Sequence, residues 1–241
     1  MVLVDTSHPG NIGAAARAMK TMGLARLDLV TPRSFPDAEA TARASGADDV
    51  LERARVHEDL AAAVADCHLV LGTTARSRTL AWPTLAPRAA AARVLAHAAG
   101  GERVALVFGR EKSGLSNQEL GLCHAAIKIP TAPDYASLNL AAAVQILAYE
   151  LRLAAPGGQP PVAAQRDESH PPATAAEMAG FLTHLEQVLT DIGFLNPAQP
   201  RLLMRRLRRL YQRAQPDRNE VNILRGILSA VQAAVKRPPN T

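Results

Sequence analysis

The sequence predicts an α/β fold: a mostly parallel sheet, then a small all-α C-terminal extension. Three observations carry this. Over residues 1–154, five short apolar runs alternate with stretches of helical periodicity, the pattern of a sheet whose strands are joined by crossover helices. Residues 155–173 hold Pro156, Gly157, Gly158, Pro160, Pro161, Pro171 and Pro172, too many breakers for regular structure, and read as a linker. Residues 174–241 show only helical spacing.

Val2-Leu3-Val4 is the first strand, and Asp5 to Asn11 is turn chemistry. A helix from Ile12 to Met22 ends at Gly23 as its C′ glycine, and its start, Gly13-Ala14-Ala15-Ala16, is small enough to let another backbone or a ligand approach closely, or to bury surface between two subunits. Leu27 to Val30 is the second strand, and 37–66 reads as Ala-rich and helical. His68 to Leu71 is the third strand and leaves through Gly72-Thr73-Thr74-Ala75-Arg76-Ser77-Arg78. Pro87 to Ala99 is helical, Val104 to Phe108 is the fourth strand, and Gly109 to Leu115 is its exit loop. Ala126 to Ile129 is the fifth strand, stopped by Pro130. Beyond Asp134, Ser137 stands where an N-cap belongs, before a helix that is apolar all round and so expected to be buried on most sides. Two readings of this helix stand: a ligand site at a donor-rich N-terminus, or a core helix with a serine cap.

In the extension, Thr174-Ala175-Ala176-Glu177 reads as a capping box opening a helix that runs to Gly193. A second helix, from about Pro200 to Ala214, sets Leu203, Leu207, Leu210 and Tyr211 against Arg201, Arg205, Arg206, Arg208, Arg209 and Arg213. A third begins near Asp217, with Glu220 three positions on, and packs Val221, Leu224, Ile227, Leu228 and Val231.

Composition narrows the function classes. The chain has 241 residues and 48% apolar content, with no apolar run near the ~18 residues of a membrane span and no signal-peptide pattern. Cys67 and Cys123 lack metal-ligand spacing, which suits a reducing, cytoplasmic setting and argues against a metal site. The net charge is +5, yet residues 201–241 alone hold 10 Lys/Arg against 2 Asp/Glu, so the positive excess lies in the tail. A concentrated basic segment points to nucleic acid, or else to a solvated helix face. Strands three, four and five each end in a loop rich in Gly, Thr, Pro or charge, and ligands of open α/β sheets sit at such carboxyl ends, so these loops are candidates for one pocket. Walker and dinucleotide fingerprints are absent: Leu115-Ser116 replaces the Lys-Ser/Thr pair, and Gly10 and Gly13 do not complete a G-x-G-x-x-G run.

Three motifs stand in order: Asn11-x-Gly13-x-x-x-Arg17, Phe108-Gly109-Arg110-Glu111-x-x-Gly114-Leu115, and Ser137-Leu138-Asn139-Leu140-Ala141. Together they resemble the SpoU/TrmH family of the SPOUT methyltransferases over residues 2–151. The tail, with Leu207 to Tyr211 and Glu220 to Leu228, is similar to the C-terminal extension of a tRNA-specific branch of that family. The resemblance implies a trefoil knot around 109–115 and 129–140, a homodimer in which each subunit completes the other's site, and S-adenosylmethionine as cofactor. It implies 2′-O-methylation of a tRNA ribose, at cytidine or uridine 32 of the anticodon loop. The alternatives are 2′-O-methylation of rRNA, or a non-catalytic RNA-binding protein on the same scaffold. It places the cofactor against Thr73, Thr74, Ala75, Gly109, Ile129, Ala136, Ser137 and Leu138, although Ala136 stands where a small polar residue is common. Gly109 either lets backbone approach the ligand or serves a tight turn. Arg17 is the leading catalytic candidate: its planar fork suits the phosphate beside the target and the developing alkoxide, with water or a phosphate oxygen taking the proton. Ser137 and Asn139 hold the ribose or the cofactor carboxylate. Glu111 orients Arg17 or the loop, or forms a structural ion pair. Arg78, Arg205, Arg206, Arg208 and Arg209 bind RNA phosphates.

Overall fold

A computed structural model of the chain describes residues 1–75, 82–155, 171–199 and 201–235. The chain divides into two compact units, Met1–Gln165 and Arg166–Thr241.

The first unit holds β1 (Val2–Val4), α1 (Pro9–Thr21), β2 (Asp28–Val30), α2 (Ala38–Ala44), α3 (Asp48–Glu52), β3 (Arg55–His57), α4 (Leu60–Val64), β4 (Leu69–Thr73), β5 (Thr84–Leu85), α5 (Pro87–Ala99), β6 (Val104–Phe108), α6 (Asn117–Gly121), β7 (Ala125–Ile127) and α7 (Leu140–Ala154). The strands form one sheet in the order β3-β2-β1-β6-β4-β7-β5, and every pairing is parallel. Helices cover both faces, which is why β1, β4 and β6 read as unbroken apolar runs rather than alternating ones. All five strands expected from sequence are present. The expectation of helix throughout 37–66 is corrected by β3, and β5 and α6 are additional. β3 and β5 are the edge strands of the sheet, and their residues are mostly exposed or half-buried, so no apolar run marks them.

α1 begins with Pro9 and ends in a Schellman motif: Gly23 at φ 79° donates to the Lys20 carbonyl at 3.0 Å and Leu24 to that of Met19 at 2.9 Å. Its small start is spent inside the chain. A Cβ on Gly13 would lie 1.9 Å from the Ala40 carbonyl oxygen of α2, and Ala15 and Ala16 are fully buried. Of the readings of this helix start, the close approach of another backbone is borne out at Gly13: it is that of α2.

α7 is less buried than its composition suggests. Leu140, Val144, Leu147, Ala148 and Leu151 face the core, whereas Tyr149 and Leu153 are exposed at 48% and 55%. An apolar residue left outward on a helix this greasy is a surface seeking a cover.

His124 adds a pH dependence. Its Nδ1 accepts the Val70 N–H at 2.9 Å inside the sheet, and burial pushes its pKa down to about 4, with Arg93 acting the same way. Between the ordinary imidazole value near 6.5 and about 4, the unfolded chain therefore binds a proton that the folded chain excludes. Stability should fall as pH drops through this window, by up to about 3 kcal/mol. Urea unfolding of wild type and His124→Gln at pH 7 and pH 4.5 checks this. The variant should lose clearly less than the wild type, and parallel losses would assign the acid sensitivity elsewhere.

In the second unit, α8 (Ala175–Asp191), α9 (Leu203–Ala214) and α10 (Arg218–Val235) share a core of Met178, Phe181, Leu182, Leu185, Val188, Val221 and Leu228. The Thr174–Glu177 capping box forms as expected, with reciprocal bonds of 2.7 and 3.2 Å. Asp217 and Glu220 do the same for α10, at 2.8 and 2.7 Å. Tyr211 meets Phe181 edge-on, with centroids 4.7 Å apart. Leu210 and Ile227, expected to pack inward, are 46% and 55% exposed.

Candidate active site and RNA-binding helix

β6, β4 and β7 are adjacent in the sheet, so the loops after them converge at its carboxyl edge. They enclose a cavity of about 320 Å³. All eight residues expected to hold the cofactor line it: Thr73, Thr74, Ala75, Gly109, Ile129, Ala136, Ser137 and Leu138. Phe108, Ile127, Leu140 and Ala143 add apolar wall, and Arg110 to Gly114 form a polar side. Phe108 and Ile127 are the last residues of their strands, the sequence signal by which they could have been found.

The loop after β6 is rigidly held. Arg110 makes a bidentate pair with Glu119 at 2.9 and 3.0 Å and meets Asp5 at 2.6 Å, which holds its guanidinium above the usual arginine range, Glu119 contributing most. Glu119 also completes a capping box with Ser116 at the start of α6. A Cβ on Gly109 would lie 2.2 Å from both the Gly114 carbonyl carbon and the Leu115 nitrogen. This close approach to its own loop supports the tight-turn reading of Gly109, which also lines the cavity.

Glu111 is a clamp on the chain between β1 and α1. It accepts from the Ser7 N–H at 3.1 Å, the Ser7 hydroxyl at 3.0 Å, the His8 N–H at 3.3 Å and the Asn11 amide at 3.0 Å. Burial opposes its ionisation, but these donors, Asn11 first, outweigh that and hold the carboxyl below its ordinary value. It stands at the N-terminal end of α1, where the helix favours negative charge. It makes no ion pair with Arg17 among the described residues, so of the sequence alternatives it is the one that orients the loop.

Asn139, not Ser137, caps α7. Its side-chain oxygen accepts the Ala141 and Ala142 N–H groups at 2.9 and 3.4 Å. Its amide donates to the Asn11 oxygen at 3.0 Å, and Asn11 in turn donates to Glu111. The carboxylate fixes the direction of both amides, since an ionised acid can only accept. This chain, Asn139 to Asn11 to Glu111, ties the three sequence motifs together. Asn11 stood in the first motif but was given no role there. Ser137 is left exposed at the cavity wall, its expected role as N-cap taken two residues later.

Arg17 lies on the exposed side of α1, makes no side-chain hydrogen bond or ion pair among the described residues, and does not line the cavity. Arg78 lies outside the described residues.

On α9, Arg205 and Arg206 are exposed, whereas Arg208 and Arg209 are half-buried. Burial lowers the pKa of Arg208, with Glu186 opposing, and the Arg209 Nε is buried without a hydrogen-bond partner among the described residues. Of the four arginines expected to bind RNA phosphates, two are therefore exposed and two are half-buried. Among the described residues no group of acidic, His or Cys side chains could hold a metal ion, and no helix is long and apolar enough to cross a membrane.

Comparison with known proteins agrees with this geometry. The model of the SpoU rRNA methylase family matches residues 1–149, and that of the tRNA methyltransferase TrmJ C-terminal domain matches 176–240. The chain is 52% identical to the tRNA (cytidine/uridine/adenosine-2′-O-)-methyltransferase TrmJ of Pseudomonas aeruginosa, over 98% of this chain and 94% of that protein. It is 50% identical to the tRNA (cytidine/uridine-2′-O-)-methyltransferase TrmJ of Photorhabdus laumondii, over 98% of each. The crystal structure of TrmJ from Z. mobilis superposes with a TM-score of 0.82 at 36% identity, covering 96% of this chain and 97% of that one. A probable methylase family protein from Haemophilus influenzae follows with a TM-score of 0.61 at 44% identity, covering 97% and 95%. With the sheet, the three tied motifs and the helical tail all matched, the chain belongs to the SpoU methylase family, in its TrmJ branch.

Proposed function

We propose that this chain transfers a methyl group from S-adenosylmethionine to the ribose 2′-hydroxyl of a tRNA nucleotide, at cytidine or uridine 32 of the anticodon loop. The observation that carries the reading is the hydrogen-bonded chain from Asn139 through Asn11 to Glu111, which gathers the family's three motifs beside one cavity. The cavity fits the cofactor by its chemistry. Apolar walls from Phe108, Ile127, Ile129, Leu138 and Leu140 suit a flat heteroaromatic ring, and the loop backbones of 73–75, 109–114 and 136–138 supply polar groups for its edge and tail. When bound, S-adenosylmethionine supplies an electrophilic methyl group on a sulfonium.

The remaining work falls to the protein. Thr73, Thr74, Ala75, Gly109, Ile129, Ala136, Ser137 and Leu138 hold the cofactor, and Ser137 offers its hydroxyl to the ribose. Asn139 and Glu111 act through position, keeping the α1 entry and the 136–138 loop in register. Arg17 pairs with the phosphate beside the target and stabilises the alkoxide as the proton leaves to water or a phosphate oxygen. Alignment of the hydroxyl with the methyl supplies much of the rate. Arg17 does not line its own cavity, and Tyr149 and Leu153 are exposed on α7. Both features support a homodimer in which Arg17 serves the partner's site. Residues 109–115 and 129–140 form the knotted part of the sheet domain. Arg205, Arg206, Arg208, Arg209 and Arg78 bind the RNA backbone, and the enzyme works in the cytoplasm.

Purified protein and tritiated cofactor, with bulk bacterial tRNA and rRNA offered together, test this directly. Label should enter tRNA in the presence of EDTA, survive alkaline hydrolysis as a 2′-O-methyl dinucleotide, and map to position 32. Label found only in rRNA, or none at all with S-adenosylhomocysteine binding intact, would overturn the reading.

A further inference from the structure

Tyr135 belongs to the loop between β7 and α7, immediately before the cavity-lining residues Ala136, Ser137 and Leu138. The residue is 77% exposed, the most open of the large apolar residues among those described. Exposing an aromatic ring forfeits its burial, so its backbone has to be held for another reason. It is held: the Tyr135 N–H donates to the Ala132 carbonyl at 3.2 Å, closing a small antiparallel bridge, and Pro130 and Pro133 stiffen the turn. At the far end, Asn139 fixes the start of α7. The phenol makes no hydrogen bond among the described residues, so neither the ring nor the hydroxyl is used by the fold.

We infer that Tyr135 is the platform on which the target base stacks, a substrate-positioning residue that sets the ribose over the cavity. The inference rests on the methyltransferase reading above and adds how the nucleotide is held. RNA loops are recognised largely through unstacked bases laid on aromatic rings. Such a contact tolerates sequence, because every base has a π-face. That fits what the Pseudomonas relative's name states, activity on cytidine, uridine and adenosine. No one set of hydrogen-bond partners serves the edges of all three bases, but one ring stacks on each.

The test uses full-length protein and an intact tRNA substrate, with Tyr135→Phe, Tyr135→Trp and Tyr135→Leu. The leucine variant should lose roughly ten- to a hundredfold in kcat/KM for tRNA, the range expected for one lost base–ring stack. Phenylalanine and tryptophan should restore most of it, and S-adenosylhomocysteine affinity should stay at the wild-type value in all three. A second measurement places 2-aminopurine at the target position of an anticodon stem-loop. Wild type and the aromatic variants should quench it on binding, and the leucine variant should not. Wild-type kcat/KM in Tyr135→Leu would overturn the inference. So would a phenylalanine variant as weak as leucine, which would assign the role to the hydroxyl, and so would a matching loss of cofactor affinity or of oligomeric state, which would make the ring structural. If wild type itself transfers no methyl group to tRNA, the methyltransferase reading fails instead.

Discussion

Arg17→Ala should lower kcat for tRNA methylation by about 10²–10³, the usual cost of removing one donor aimed at charge that develops in the transition state. S-adenosylhomocysteine affinity should stay within about twofold, because Arg17 does not line the cavity. Stability should hardly change, since the side chain is exposed and bonded to nothing among the described residues. Arg17→Lys keeps a charge but loses the planar fork that fits a phosphate, so it should recover only part of the rate. Single-turnover kinetics with saturating cofactor separate these outcomes. A parallel fall in cofactor affinity and in turnover would make Arg17 a structural residue. If Arg17 serves the partner's site, mixing Arg17→Ala with a cavity-dead variant such as Leu138→Glu should restore activity, because one heterodimer site then keeps both an intact cavity and an intact arginine.

Sequence showed the sheet domain well wherever a run is both apolar and bounded. Val104 to Phe108 and Pro87 to Ala99 are found where expected, because a fully buried strand and a helix opened by proline announce their ends. β3 escaped because Arg55-Val56-His57 is an edge strand: its polar residues are there to satisfy Asp28, which takes Arg55 at 2.7 Å and His57 at 2.8 Å. Burial opposes ionisation of Asp28, but the His57 and Arg55 bonds win and hold its pKa low. Such a cluster is visible only once β2 and β3 are paired. The cap of α7 failed for a similar reason. Ser137 and Asn139 are both good cap residues, two positions apart before the same apolar run, and local chemistry does not rank them. The choice is made by Asn11, more than a hundred residues away, which takes the second amide function of Asn139. Gly13 and Gly109 were legible as close approaches, but not as to what approaches them. In both cases the atoms a Cβ would meet belong to another part of the same chain.

The basic helix gives the other large effect, and its structure changes the size expected. Four equivalent arginines would give a salt slope of roughly four times 0.7–0.9 log units per log unit of salt. Only Arg205 and Arg206 point fully outward, so Arg205→Gln/Arg206→Gln should flatten the slope of tRNA binding by roughly 1.4–1.8. At low salt the dissociation constant should rise for every tRNA alike, because phosphate contacts position without reading sequence. The methylated nucleotide should not move. Adding Arg208→Gln and Arg209→Gln should flatten the slope less than the first pair did, since burial already disfavours the Arg208 charge and Glu186 faces it. Those two changes should instead lower the unfolding midpoint of the second unit, because the stems of half-buried arginines contribute packing. Asp217 and Glu220, the acids nearest in sequence, cap α10 and form no ion pair with the outward pair among the described residues. Titrations at several salt concentrations, with filter binding or fluorescence anisotropy, measure the slope for each protein. An unchanged slope in the double variant would show that α9 does not touch the RNA backbone. Its two outward arginines would then be a solvated face, and the tail's part in the enzyme would be to hold subunits together.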